Sequence, residues 1–296
     1  MPSSNNHGLA IGDTAPGAAL LRQRLQQIQH VALDMDGTIY SGGTLFEFTK
    51  PFLRQLVQMG IGYTFLTNNS SKSGPDYVAH LRRLGIQATP DQLCTSTHLT
   101  IEFLAREMPD VHHVFLLGTA SMGGEIKDAG FSLADDDAND EPDAVVVGFD
   151  TGLTFSRLCR AAYWIKQGKP FIASHVDRVC PTDQPTVLVD CGSICAALTE
   201  ATGRKPDAVL GKPDPRMLRE VLQRHELQPE TLALVGDRLY TDMVMAQRAG
   251  ALSILVLTGE ATAADAANHE PSLDLVVSDI AELGEMLKAA RNGGAC

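Results

Sequence analysis

The run Val31-Ala32-Leu33-Asp34-Met35-Asp36-Gly37-Thr38-Ile39-Tyr40 reads as a buried strand that ends on two carboxylates and a sharp turn. Side chains alternate along extended backbone, so Asp34 and Asp36 point to the same side. Gly37 lets the chain turn directly after them. Two like charges this close are costly unless a cation lies between or above them. Mg²⁺, a hard ion that prefers carboxylate oxygens and keeps several waters, is the natural partner. The same residues also fit an acidic strand-to-loop turn; segments further along the chain weigh against that simpler reading.

Around this strand the 296-residue sequence alternates apolar runs with helical patterns. A leading helix is predicted over 18–29. It is followed by strand 30–33, helix 49–59, strand 61–66 and helix 75–84. A helix over 97–107 leads into a second series: strand 114–117, helix 122–129, strand 144–147, helix 155–167 and strand 171–173. Helix 193–202 ends at Gly203. Strand 208–210, helix 215–224, strand 232–235, helix 242–249, strand 252–257, strand 275–277 and helix 280–289 follow. Continuous apolar strands separated by helices predict an α/β protein with parallel sheet covered on both faces. Residues 1–16, rich in Ser, Asn, Gly and Pro, read as a disordered tail.

The composition is globular, with 44% hydrophobic and 20% charged residues. A formal charge of −12 argues against nucleic acid or an anionic membrane as partner, since no basic excess is present to neutralise phosphates in bulk. No apolar run approaches a membrane span. The six cysteines, Cys94, Cys159, Cys180, Cys191, Cys195 and Cys296, form no Cys-x-x-Cys pair. Reduced thiols in a cytoplasmic protein are therefore expected. The acidic stretch Asp135-Asp136-Asp137 through Asp143 reads as a solvated loop.

Four more segments sit at strand ends or strand-to-helix turns. After strand 61–66 comes Thr67-Asn68-Asn69-Ser70, where a hydroxyl and successive backbone N–H groups at a helix start can cradle phosphate. Lys212, between Gly211 and Pro213, can hold a fixed ammonium that neutralises carboxylate and phosphoryl oxygens; as an isolated feature it also fits a surface lysine. Gly236-Asp237-Arg238 ends strand 232–235, at the position where open α/β sheets bind ligands. Asp242 lies five residues beyond Asp237 and also fits a helix cap.

In chain order, Asp34-x-Asp36-Gly37-Thr38, Thr67-Asn68-Asn69, Gly211-Lys212-Pro213 and Gly236-Asp237-Arg238-x-x-Thr241-Asp242 resemble the signature segments of the haloacid dehalogenase superfamily. The similarity is to its class IIA phosphatases, which act on sugar phosphates, nucleotides, phosphoglycolate, 4-nitrophenyl phosphate or pyridoxal phosphate. It implies a Rossmann-like parallel-sheet core over 17–106 and 207–296, with a second α/β domain, a substrate-specifying cap, inserted over 107–206. It also implies a phosphomonoester as small-molecule partner and Mg²⁺ as cofactor. Asp34 would be the nucleophile that forms an aspartyl-phosphate. Asp36 would protonate the leaving alkoxide and then activate water, for which the neighbouring Asp34 charge would favour its protonated form. Metal would be held by Asp34, the Asp36 carbonyl and Asp237. Thr67 and the backbone at Asn68 and Asn69 would hold phosphoryl oxygens with Lys212, and Asp242 would orient Lys212 or a metal-bound water. A homodimer paired through the cap is the assembly this resemblance implies.

Candidate cap contacts are His175, Arg178 and Cys180, within 174–180, together with the stretch Asp190-Cys191-Gly192-Ser193. His175 also fits an ordinary loop histidine, and Arg178 either a surface charge or an anchor for a substrate carboxylate or second phosphate. A dehalogenase needs neither Asp36 nor a metal. A mutase usually carries a small helical cap right after the first motif, and only about thirty residues separate Asp36 from Thr67. An inactive binding protein on this scaffold remains the reading from a different class.

Overall fold

The computed structural model describes residues 16–182 and 184–292. The tail expected over 1–16 lies outside the described residues except for Pro16, which opens the helix Pro16–Gln27. A first helical position suits proline, whose φ is already helical and whose missing N–H bonds nothing there.

Two parallel sheets organise the chain. Across its width the first runs Leu275–Val277, Leu252–Val256, Leu232–Gly236, His30–Asp34, Gly62–Thr67 and Leu93–Thr95. All five residues of His30–Asp34 are buried, the reason Val31–Leu33 is an unbroken apolar run. From this strand the chain passes to Gly62–Thr67 on one side and later to Leu232–Gly236 on the other. A crevice opens at the carboxyl ends of such strands, where the winding reverses.

The second sheet runs Ala208–Val209, Phe171–Ala173, Ala144–Val147, His113–Leu117 and Ser132–Leu133. The chain enters this insert after the helix Ser96–Glu107. It leaves later than the sequence boundary at 207 implied. Asp207 N–H donates to the Phe171 carbonyl at 2.7 Å, and Ala208 and Val209 pair with Ile172 and Ala173. A two-residue strand carries no periodicity of its own, so only its partner could assign it to the insert.

Local chemistry sets the helix ends. Ser73 and Asp76 form a reciprocal capping box at Gly74–Arg83, and Gly203 closes Cys191–Thr202 in the left-handed region at φ 75°. The helix expected over 242–249 is divided, with a wide turn at Leu239–Met243 before Val244–Ala249. Two antiparallel hairpins were not expected from the sequence, although Gly42-Gly43 is a two-residue turn signal for the first: Tyr40–Ser41 with Thr44–Leu45, and Val179–Cys180 with Leu188–Val189. The acidic residues 135–137 are exposed.

The two sheets share apolar packing. One buried cluster joins Leu66, Cys94 and Leu99 of the core to Val114, Leu116, Met122 and Ile172 of the insert. Among the described residues no helix is long and apolar enough to cross a membrane.

His30 begins the central strand as a buried imidazole. Its Nε2 lies 2.8 Å from Thr64 Oγ1, and its ring stacks 4.3 Å from that of His225. Gly62, its partner across the strands, leaves the room: a Cβ there would sit 2.5 Å from His30 Nδ1. Burial, with a smaller contribution from His225, pulls His30 down to about 3. The folded chain therefore keeps His30 neutral where the unfolded chain protonates it. Below about pH 6.5 the unfolded state binds the extra proton, and stability falls with falling pH by up to about 1.4 kcal/mol per unit. Urea unfolding between pH 7 and pH 4 should show a shallower decline for His30→Gln than for the wild type. Parallel curves would remove this assignment.

Candidate active site

The carboxyl ends of three adjacent core strands bring the predicted residues together. Asp34 ends His30–Asp34, Thr67 ends Gly62–Thr67, and Asp237 follows Leu232–Gly236. Asp34, Asp36, Thr67, Asn68, Asn69 and Lys212 all line one cavity of about 60 Å³.

Lys212 sits at its base, buried, with Nζ donating to Asp34 Oδ1 and, at 2.8 Å, to Asp242 Oδ1. Its position is set by Asn68. The Asn68 side-chain oxygen accepts the Lys212 N–H at 2.7 Å, and its amide donates to the Lys212 carbonyl at 3.0 Å. Asn68 is fixed in turn by Ser96 Oγ, which donates to its carbonyl at 2.5 Å. Gly211 must precede Lys212, because at φ 65° a Cβ would sit 2.6 Å from Asn68 Oδ1 and 2.9 Å from the Ser174 carbonyl. The lysine is thus an internal, oriented charge and not a surface one.

Burial, partly offset by Lys212, lifts Asp34 and Asp242 to about 6 each, so both remain ionised near neutrality. Burial acts against the Lys212 ammonium, but Asp242 and Asp34 outweigh it and hold Lys212 above its ordinary range. Asp36 is also raised, chiefly by burial and against the backbone of Gly42. Its cause is therefore desolvation rather than the Asp34 charge invoked from sequence.

Asp34, Asp237 and Asp242 offer carboxylate oxygens that all lie within 4.8 Å of one another. The three are not equivalent. Asp242 has Oδ1 on Lys212 and Oδ2 3.3 Å from the Arg238 N–H, so both its oxygens are engaged. Asp237 Oδ2 accepts the Glu260 N–H at 2.7 Å, while Oδ1 is buried with no hydrogen-bond partner. Gly37 and Gly259 flank this carboxylate, and a Cβ at either would collide with it. Burial and then Asp242 raise Asp237. An orphaned buried carboxylate oxygen beside Asp34 is the donor set that a hard divalent cation fits.

The cap residues divide. Cys180 lines the cavity and its Sγ is 3.6 Å from Asn69 Nδ2. His175 does not line it. It is fully buried behind the wall, with Nε2 3.5 Å from both Ser70 Oγ and Asp190 Oδ1. Arg178 is exposed and is not among the residues that line the cavity. Its carbonyl, accepting from Asp190 N–H and Ser193 Oγ, serves the backbone instead.

Sequence reasoning gave no role to Tyr40, Tyr77 and Arg238, and included Asp177 only within the candidate stretch 174–180; all four reach the cavity. Tyr77 OH donates to the Asn69 carbonyl at 3.0 Å, and Asp177 bridges cap to core through Asn68 at 3.3 Å and Arg238 at 3.6 Å. Thr258 and Gly259, beyond the strand Leu252–Val256, also enter the site, Thr258 Oγ1 donating to the Gly37 carbonyl at 2.5 Å. The strand-end rule that pointed to Asp237 could have found them.

Residues 31–132 match the haloacid dehalogenase-like hydrolase family, and residues 209–283 match the HAD-hydrolase-like family. The chain is 35% identical over 246 residues to the D-glycerol 3-phosphate phosphatase of Mycobacterium tuberculosis, spanning 83% of this chain and 67% of that protein. It is 29% identical to an acid sugar phosphatase of Staphylococcus aureus, over 82% of this chain and 92% of that one. A 4-nitrophenylphosphatase from Thermotoga maritima superposes with a TM-score of 0.82 at 39% identity, covering 88% of this chain and 98% of that chain. A glycerol phosphate phosphatase from M. tuberculosis, solved in complex with magnesium, gives 0.81 at 33% identity over 90% and 79%. With its strand-end carboxylates, buried lysine and inserted α/β cap, the chain belongs to the haloacid dehalogenase-like hydrolases, as a class IIA phosphoric monoester hydrolase.

Proposed function

We propose that this chain hydrolyses a small-molecule phosphomonoester through an aspartyl-phosphate on Asp34, with Mg²⁺ as its cofactor. The observation that carries the reading is the buried ammonium of Lys212 on Asp34 at the floor of a cavity that Asp36 and Thr67 also line.

Asp34 and Asp237, with the Asp36 carbonyl, would hold Mg²⁺, which when bound offsets the repulsion between an attacking carboxylate and a phosphate dianion. Asp34, ionised near neutrality, attacks phosphorus in line and the ester oxygen leaves. Lys212 stays protonated throughout and stabilises negative charge on the phosphoryl oxygens. Thr67 and the N–H groups after it bind the remaining oxygens. Asp36, raised by burial, gives its proton to the departing oxygen and later takes one from the water that cleaves the acyl phosphate. Asp242 keeps Lys212 aimed at Asp34, a positioning task.

Three measurements test this reading. Asp34→Asn should abolish phosphate release from 4-nitrophenyl phosphate, a loss of at least about 10³-fold, while circular dichroism shows a retained fold. Undiminished turnover would remove Asp34 as nucleophile. Chelation with EDTA should stop the wild-type reaction and added Mg²⁺ should restore it; activity that persists after exhaustive chelation counts against the cofactor. Asp36→Asn should slow alkyl phosphate hydrolysis by about 10²–10⁴-fold. With 4-nitrophenyl phosphate, whose leaving group needs little protonation, the same variant should release a burst near one equivalent before a slow steady state. No burst and unchanged alkyl turnover would strip Asp36 of its role.

A further inference from the structure

The cap contributes Asp177, Val179, Cys180, Pro181 and Asp190 to the cavity wall, and no cation is among them. Two cations reach the cavity, both from the core and both engaged. Lys212 is held by Asp34 and Asp242, and Arg238 lies between Asp177 at 3.6 Å and Glu260 at 3.1 Å. Arg178, the cap cation next to Asp177 in sequence, faces solvent.

Asp190 is held rigidly in this wall. It is buried and caps the helix Cys191–Thr202, with Oδ1 accepting the Cys191 N–H at 2.6 Å. Its Oδ2 has no hydrogen-bond partner among the described residues. Behind it stands His175, which burial pulls down to about 4, so a neutral imidazole rather than a cation backs the carboxylate. Asp177 adds a second carboxylate on the same side, already engaged by Asn68 and Arg238.

We propose that Asp190 sets the leaving group: its free oxygen accepts a hydrogen bond from a hydroxyl of the departing alcohol, and its charge repels a leaving group that carries a second anion. This rests on the phosphatase reading above and deepens it to a substrate class, small phosphomonoesters of uncharged, hydroxyl-bearing alcohols. A carboxylate brought into this wall would meet Asp190 while both cations that line the cavity are already engaged by carboxylates, at low local dielectric where like charges repel strongly. A pocket built to bond a hydroxyl discriminates sharply against an analogue that lacks it.

Glycerol 3-phosphate and 3-phosphoglycerate form a matched pair, differing by a CH₂OH group in place of a carboxylate. Burial lifts Asp190 to about 7, so kcat/KM is compared at pH 8 with Mg²⁺, where the ionised form predominates. The wild type should favour glycerol 3-phosphate by at least about tenfold. Asp190→Asn and Asp190→Ser both retain a helix-capping side chain and should shrink that preference by about tenfold, with kcat/KM for 3-phosphoglycerate rising. Equal wild-type turnover of the two esters, or a preference unchanged in both variants, would overturn the assignment. Wild-type hydrolysis of 4-nitrophenyl phosphate is measured alongside. If it proceeds while the preference is absent, only the Asp190 inference falls; if it too is absent, the phosphatase reading falls and takes this inference with it.

Discussion

One buried ammonium organises this molecule. Asp34, Asp237 and Asp242 converge in a largely buried space, and among the described residues Lys212 is the buried lysine that meets two of them. Carboxylates out of water are costly unless paired and hydrogen-bonded. Even with the Arg238 guanidinium nearby, three carboxylates around one ammonium leave Asp237 Oδ1 buried without a hydrogen-bond partner. An acidic protein thus handles a dianionic ester by gathering positive charge at one point, not over its surface.

The scaffold fixes that point through backbone as much as through side chains. The Asn68 side-chain amide clamps the backbone N–H and carbonyl of Lys212, so the lysine loop is registered on the neighbouring strand end. Gly211 admits this closeness, and the Ser174 carbonyl of the cap presses on the same glycine. Asp177 reaches from the cap to Asn68 and Arg238. The cap wall and the core floor of the cavity therefore meet at one residue, Asn68, and a shift of either is felt by the other.

Much of this was legible in the sequence because strand ends have a strong signature. The apolar run before Asp34 is continuous since its strand is buried on both faces; Gly37 and Gly236 mark places where carboxylates crowd the backbone, and Gly211 one where the Asn68 side chain and the Ser174 carbonyl do. The features that escaped share a physical cause: they depend on partners distant in the chain. Ala208 and Val209 belong to the cap sheet only because Phe171–Ala173 pairs with them. His175 gave no sign of full burial, since the groups that enclose it, Ser70 and Asp190, lie far away in sequence. The raised state of Asp36 was anticipated, but for a Coulombic reason where desolvation is the cause. Arg178 and Asp177 are adjacent, yet one faces solvent and the other the cavity, a difference set by the hairpin Val179–Cys180 with Leu188–Val189 that no pattern announced.

The apolar cluster running from Leu66 and Leu99 into Val114, Met122 and Ile172 bears on how such an enzyme can be re-engineered. The insert is not a detachable module on a string: grafting a relative's cap onto this scaffold would lay a foreign oily seam against Leu66 and Leu99. Chimeras intended to change selectivity would have to carry both faces of that seam together, or confine the exchange to the loops bearing Asp177 and Asp190.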